Sequence, residues 1–175
     1  LLMAQNIEIP DFQRLVDDIM INLPGDVATI ARTHFLLSFI KEGFTDNSFI
    51  AWPKRKDTDV AKILTRSMAL RNSIKITTAN KDRVEIEAGA GLPYAAIHNS
   101  GGTITIKITE KAKRFFWAMY KKTEDEKWKY MALTKKKTLT IAIPQRKYIG
   151  HSMKLLEKLD QYLIKKINSM KVPVK

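Results

Sequence analysis

The chain has 175 residues, 45% of them hydrophobic and 28% charged, which suits one domain with its own core and leaves no room for two comfortable ones. Thirty-one Lys+Arg against eighteen Asp+Glu give a formal net charge of +13, so polyanions are the natural partners, either nucleic acid or an acidic protein surface. Cysteine is absent, which excludes disulfides, zinc–thiolate sites, iron–sulfur clusters and thiol catalysis. No stretch reaches the roughly 20 apolar residues of a membrane span, and no signal peptide is expected from the start LLMAQNIEIPDF.

In chain order, Phe12, Leu15, Val16, Ile19 and Leu23 recur at helical spacing. Pro24-Gly25 is expected to end that helix, with Asp26 capping a second one, VATIARTHFLLSFIKEGF. His34 reads as a packing residue inside it. A polar, irregular connection anchored by Trp52-Pro53 follows, and VAKILTRSMALRNSI reads as a short third helix. From Ser73 the period changes: SIKITTANKDRVEIEAG alternates on both sides of Asn80-Lys81-Asp82, a β-hairpin. YAAIHNSGGTITIKIT reads as a short segment, a glycine turn and a strand. The stretch 110–137 offers a helical face in Ala112, Phe115, Phe116, Met119 and Tyr120, which Trp128, Met131 and Ala132 continue past an acidic turn. TLTIAIP is a strand. An amphipathic helix closes the chain, with Leu156, Leu159, Leu163, Ile167 and Met170 on one face. The fold class is α+β over residues 1–175: N-terminal helices, a small antiparallel sheet, and a long C-terminal helix packing on the sheet.

Chemistry-bearing patterns are sparse. His34, His98 and His151 fall on separate elements with no HExxH or His-x-His spacing, so neither a metal nor another cofactor is expected. HNSGG sets His98 two residues before Ser100, but lacks the strained GxSxG turn of a serine nucleophile, and Gly-Gly is what a turn between strands requires. GAGLP is a turn, not a phosphate cradle. Cations cluster at 54–56, at Lys111, Lys113, Arg114, Lys121 and Lys122, and at Lys135, Lys136 and Lys137. Aromatics among the middle set either stack bases or form a buried face ringed by long cations.

Three segments in order carry a resemblance: ILTRSMALRNSI (63–74), PYAAIHNSGG (93–102) and IPQRKYIGHS (143–152). Together they resemble the phage virion-morphogenesis family, the tail-completion proteins of long-tailed phages and prophages. That family typically reads Leu-x-x-Ser-Gly-x-Leu-Arg-x-Ser-Ile, then Tyr-Ala-x-x-His-x-x-Gly-Gly, then Ile-Pro-x-Arg-x-Phe/Tyr-Leu/Ile-Gly. Ser67, Leu70, Arg71 and Ser73 fit the first motif. Tyr94, Ala95, His98, Gly101 and Gly102 fit the second, and Pro144, Arg146, Tyr148 and Gly150 the third. The resemblance spans about residues 10 to 170.

Two positions depart from the pattern. Met68 stands at the glycine of the first motif, which suggests a continuous helix there, and Lys147 stands where proline is common, which suggests a less rigid approach to the last helix. What the resemblance implies is a structural protein without catalysis, acting in tail completion or head–tail joining, as a ring of copies in contact with other tail or neck proteins. It would be located in the virion, and in the bacterial cytoplasm during assembly. Arg146 would meet a carboxylate on a neighbouring subunit or structure its own turn, and His98 would pair across a strand edge or an interface. The insert 110–137 would face the partner. The alternative is a basic nucleic-acid-binding module that uses residues 111–137, and a hydrolase built on His98 is a third reading.

Overall fold

A computed structural model describes residues 11–55 and 61–169. Lys56 and Met170 therefore lie outside the described residues, as does the start of the expected third helix at Val60. The elements run α1 (Phe12–Lys41), β1 (Gly43–Thr45), β2 (Phe49–Ala51), α2 (Ala69–Asn72), β3 (Lys75–Ala79), β4 (Val84–Glu87), α3 (Ala95–Ser100), β5 (Gly102–Lys107), α4 (Glu110–Thr123), α5 (Glu126–Leu133), β6 (Thr138–Ile143) and α6 (Met153–Ser169).

The expected break at Pro24-Gly25 does not occur, and α1 runs through both residues. Proline there removes one intrahelical hydrogen bond. Asp26 is not spent as a cap: its carboxylate accepts from the Tyr162 hydroxyl and from Lys166 Nζ, tying the middle of α1 to α6. The cap is Asp11 instead, whose Oδ1 accepts from Arg14 N at 3.1 Å. At the far end Glu42 takes a left-handed conformation, its N–H bonding the Ser38 carbonyl.

The strands are antiparallel, as expected, but shared among three two-stranded sheets: β1–β2, β3–β4 and β5–β6. The first begins at Gly43-Phe44, which reads from sequence as the end of the second helix, and ends in the connection that reads as irregular. The second closes at Asn80, whose Oδ1 accepts from the N–H groups of Asp82 and Arg83 at 3.0 Å, the usual asparagine route to a tight turn. The third is a six-pair ribbon from Gly102↔Ile143 to Lys107↔Thr138.

The core lies between α1, the β1–β2 hairpin and the start of α6. Phe39 is its centre, edge-on to Trp52 at 5.5 Å and tilted against Tyr148 at 5.4 Å. His34 is buried in it, with Nε2 3.1 Å from the Thr45 carbonyl. The α6 face is not the one the sequence suggests. Leu155 and Leu159 pack on the core, whereas Leu156 and Ile167 are exposed. The principal partner of α6 is α1, and its first turn is fixed to the end of β1: Ser152 Oγ donates to the Thr45 carbonyl at 2.8 Å and Met153 N to Asp46 Oδ1 at 2.9 Å.

Candidate functional site: the motif junction and the basic arm

The first motif holds a single helical turn rather than the expected short helix. Met68 adopts φ 57°, the left-handed conformation that glycine enters freely, so the chain turns there in spite of the side chain and the continuous helix is not formed. Ser67 Oγ accepts from Ala69 N, and Leu70 is buried in the core. Ser73 links the turn to the hairpin: its hydroxyl donates to the Leu70 carbonyl at 2.6 Å and accepts from Gly89 N at 2.7 Å. Gly89 in turn sits so close to Ala95 that an added Cβ would stand 2.2 Å from the alanine methyl. Arg71 is half-buried, beside Phe39 and Met68.

The second motif forms α3, so His98 lies on a helix and not on a strand edge. Residues two apart on a helix point roughly 200° away from one another, and His98 and Ser100 therefore do not share a face. Tyr94 stands edge-on to the His98 ring at 6.0 Å. Burial, with the Arg146 charge adding to it, pulls the His98 pKa below the ordinary histidine value. Its Nδ1 is buried with no hydrogen-bond partner among the described residues.

The third motif wraps round α3. Arg146 N donates to the His98 carbonyl at 2.7 Å, and Asn99 Oδ1 accepts from Tyr148 N at 2.9 Å and Ile149 N at 3.2 Å. The Tyr148 ring is 1% exposed, its hydroxyl on the Ala95 carbonyl at 3.0 Å, and burial pushes its pKa up. Arg146, 9% exposed, turns inward: Nε and Nη2 both donate to the Pro53 carbonyl, at 3.2 and 3.1 Å. These bonds tie the third motif to the Trp52-Pro53 linker, 93 positions away in the chain. Trp52 Nε1 donates to the Lys147 carbonyl at 2.7 Å, and Lys147 Nζ reaches the His151 carbonyl while lying 4.4 Å from the centre of the Phe44 ring. Lys147 thereby gains contacts that a proline there would not make. A cleft of about 340 Å³ opens beside this junction, between Ile50, Trp52, Pro53 and Gln145.

The junction is the socket of a projecting arm. Gly101 (φ 72°) and Gly102 (φ 144°) launch β5 out of α3, and Pro144 and Arg146 receive the chain from β6. An added Cβ on Gly101 would stand 2.9 Å from Gln145 N, so the two ends of the arm meet backbone to backbone. Gly150, at φ 135°, turns the chain toward α6. Beyond the socket, the β5–β6 ribbon exposes most of both faces and carries the α4–α5 hairpin. Ile108 N donates to the Lys137 carbonyl at 2.9 Å, closing the ribbon beneath the helices. The tip has a small core of its own, with Phe116 and Ala132 buried and the Phe116 and Trp128 rings stacked at 6.0 Å.

Between Gly102 and Ile143 lie eleven Lys/Arg against four Asp/Glu, a net +7 of the chain's +13. Lys113 pairs with Glu110, Lys127 with Asp125 and Lys129 with Glu126. Lys111, Arg114, Lys121, Lys122, Lys135, Lys136 and Lys137 are exposed and form no ion pair among the described residues. Phe115, Trp117 and Tyr130 are exposed among them. The packing reading of this aromatic stretch thus applies to Phe116, while Phe115, Trp117 and Tyr130 lie outside the buried face. Lys135 to Lys137 follow α5 on the last turn before β6, apart from the cations of α4.

Among the described residues no three His, Asp or Glu side chains gather as a metal site would require, and no helix is long and apolar enough to cross a membrane. Trp52, read from sequence as the anchor of its linker, binds the third motif, whereas Asn99, which also binds it, is missed by sequence reasoning and has no signal beyond its position inside the second motif.

No curated protein and no solved structure matches the chain. The sequence profile of the phage virion morphogenesis family matches residues 45–168, which takes in all three motifs and the arm and leaves α1 outside, a shorter span than the motifs alone suggest. The chain belongs to the phage virion morphogenesis family.

Proposed function

We propose that the protein acts in tail completion or head–tail joining, as a ring of copies in which the arm of each copy contacts another tail or neck component. One observation carries this reading: the three motif segments converge on a buried junction that fixes the base of a basic arm. Arg146, Tyr148 and Ser73 spend their side chains on internal bonds, to Pro53, Ala95, Leu70 and Gly89, and no hydrogen-bonded nucleophile–base pair stands among the described motif residues. A socket of this kind sets the direction of the arm and performs no reaction. At the tip, cations steer an acidic surface inward and the exposed aromatics supply anchoring area, the combination favoured at the centres of protein interfaces.

The unpaired cations also favour a second reading, that the tip binds nucleic acid. Affinity for DNA would then fall steeply with salt, because each phosphate contact releases counterions.

The test is deletion of the gene in its phage or prophage, with electron microscopy of the lysate. Filled heads beside unjoined or over-long tails are expected, rescued by the parent gene and not by one encoding Lys135→Glu, Lys136→Glu and Lys137→Glu. Normal infectious particles from the deletion would overturn the assignment. Tight DNA binding at physiological salt by the purified protein would promote the second reading.

A further inference from the structure

A trough of about 220 Å³ runs between the last turns of α1 and the first turns of α6, with β1 beneath it. His34, Ser38 and Lys41 line it from α1 at i, i+4 and i+7, and Lys154 and Lys158 line it from α6 at i and i+4. Among the described residues no Asp or Glu lines it. Glu157 holds Lys154 at 2.6 Å, whereas Lys41 and Lys158, both exposed, form no ion pair among the described residues.

The buried part of the lining is polar as well. Ser38 is 4% exposed, and its hydroxyl makes no hydrogen bond among the described residues, so a donor at the bottom of the trough lacks an acceptor. His34 is 5% exposed and gives its Nε2 proton to the Thr45 carbonyl, with no partner for Nδ1 among the described residues. Burial first and the Lys158 charge next hold the His34 pKa below its ordinary 6.5, and Lys41 adds to them. The positive field thus reaches the imidazole from both helices.

Cations gathered round a half-enclosed space repel one another, and an anion between them turns that repulsion into attraction. A carboxylate would bring one charge and two oxygens. A terminal phosphate brings up to two charges and three acceptor oxygens, one each for Lys41, Lys158 and the Ser38 hydroxyl. We infer that the trough binds a dianionic terminal phosphate, either the inorganic ion or the end of a phosphomonoester, held by Lys41, Lys158 and Ser38 beside His34. The site shares no residue with the arm and stands whether or not copies of the chain form a ring.

The test is titration of the purified full chain with inorganic phosphate at constant ionic strength, with chloride as the balancing anion. Binding is read by calorimetry and by NMR of the His34 ring, assigned through His34→Gln. Saturable binding at one site is expected, and with it a rise in the His34 pKa, because the anion offsets Lys158 and Lys41. Lys158→Gln is expected to weaken binding by about tenfold and Ser38→Ala by roughly threefold or more. Both leave the fold intact by circular dichroism, since one side chain is exposed and the other loses no bond. A variant with Lys135→Gln, Lys136→Gln and Lys137→Gln removes more charge but is expected to bind phosphate as the parent does. Absence of saturation overturns the site. So does an unmoved His34 pKa, or an arm variant that weakens binding as much as Lys158→Gln, which would mean general attraction to a basic chain. Displacement of phosphate by a 5′-phosphorylated trinucleotide and not by its 5′-hydroxyl twin would identify a nucleic-acid end as the source, and displacement by neither would identify the free ion. Equal displacement by both would mean that backbone diesters enter, and would overturn the dianion.

Discussion

Tyr148 gives its hydroxyl proton to the Ala95 carbonyl at 3.0 Å, joining residues 53 positions apart in sequence at a point where neither is open to water. The bond ties the third motif to the first turn of α3, and thereby sets the base from which β5 leaves. Tyr148→Phe keeps the ring and removes the bond, and a cost of about 1 kcal/mol is expected. Tyr148→Ala also empties the space against Phe39 and is expected to cost about 3–5 kcal/mol. Urea unfolding of the two variants measures both, and no loss in Tyr148→Phe would show that the hydroxyl contributes nothing beyond the ring.

Met68 carries φ 57° where the family pattern has glycine. Holding a residue with a Cβ in that region costs roughly 1–2 kcal/mol, and the Met68 side chain is 44% exposed, so it returns little in packing. Met68→Gly is therefore expected to raise stability by about 1 kcal/mol, reduced by glycine's greater freedom in the unfolded chain. An unfolding midpoint at or below the parent's would mean the methionine packs better than its exposure suggests.

How much was legible in the sequence follows from where each pattern gets its signal. The β3–β4 hairpin was readable because Asn80 supplies its own turn bonds, and α4, α5 and β6 because their apolar periods survive in place. The continuity of α1 was not, since Pro24 and Asp26 form a sound local stop signal that a distant pair, Tyr162 and Lys166, overrides. α3 was hidden because six residues are too few to show a helical period. On α6 the expected face averages two real ones, an inner face on α1 and the core and an outer one left bare. At the site, the motifs could be found as segments, but their convergence depends on bonds spanning 48 to 95 positions, from Arg146 to His98 up to Trp52 to Lys147, which no local pattern encodes.

Two glycines should respond oppositely to alanine. Gly25 lies inside α1 with nothing within 4 Å of a built Cβ, so Gly25→Ala is expected to stabilise by about 0.5–1 kcal/mol. Gly89 has φ 84° and would drive a methyl to 2.2 Å from Ala95, so Gly89→Ala is expected to cost about 2 kcal/mol or more. Denaturant midpoints of the pair test this, and a stabilised Gly89→Ala would show that the Ser73–Gly89–Ala95 contact yields easily.

Acid should weaken the core through its histidines. Burial, helped by the Lys158 charge, lowers the His34 pKa from its ordinary 6.5. Below that pH the unfolded chain takes up a proton more readily than the fold, so the contribution is whole above about 6.5 and is lost as pH falls toward the lowered value. Thermal unfolding is expected to shift to lower temperature between roughly pH 7 and pH 5, and His34→Gln to flatten that slope. Parallel curves for parent and variant would place the acid sensitivity elsewhere, with His98, shifted the same way, as the next residue to replace.

The arm tip should be removable without loss of the fold. Ile108 and Lys137 are joined by a 2.9 Å backbone bond, one step past the Lys107↔Thr138 pair, so the ribbon is already closed where the helices begin. Replacing residues 109–136 with Asn-Gly, a pair suited to a two-residue hairpin turn, deletes α4 and α5 and their mini-core but leaves the socket intact. The trimmed chain is expected to keep its core stability within about 1 kcal/mol, because the tip's burial is mostly its own. Amide exchange is expected to leave protection in α1, α3 and α6 unchanged. Global destabilisation of several kcal/mol would instead mean that the tip leans on the core, and that the arm's direction is set along its length and not by the junction at its base.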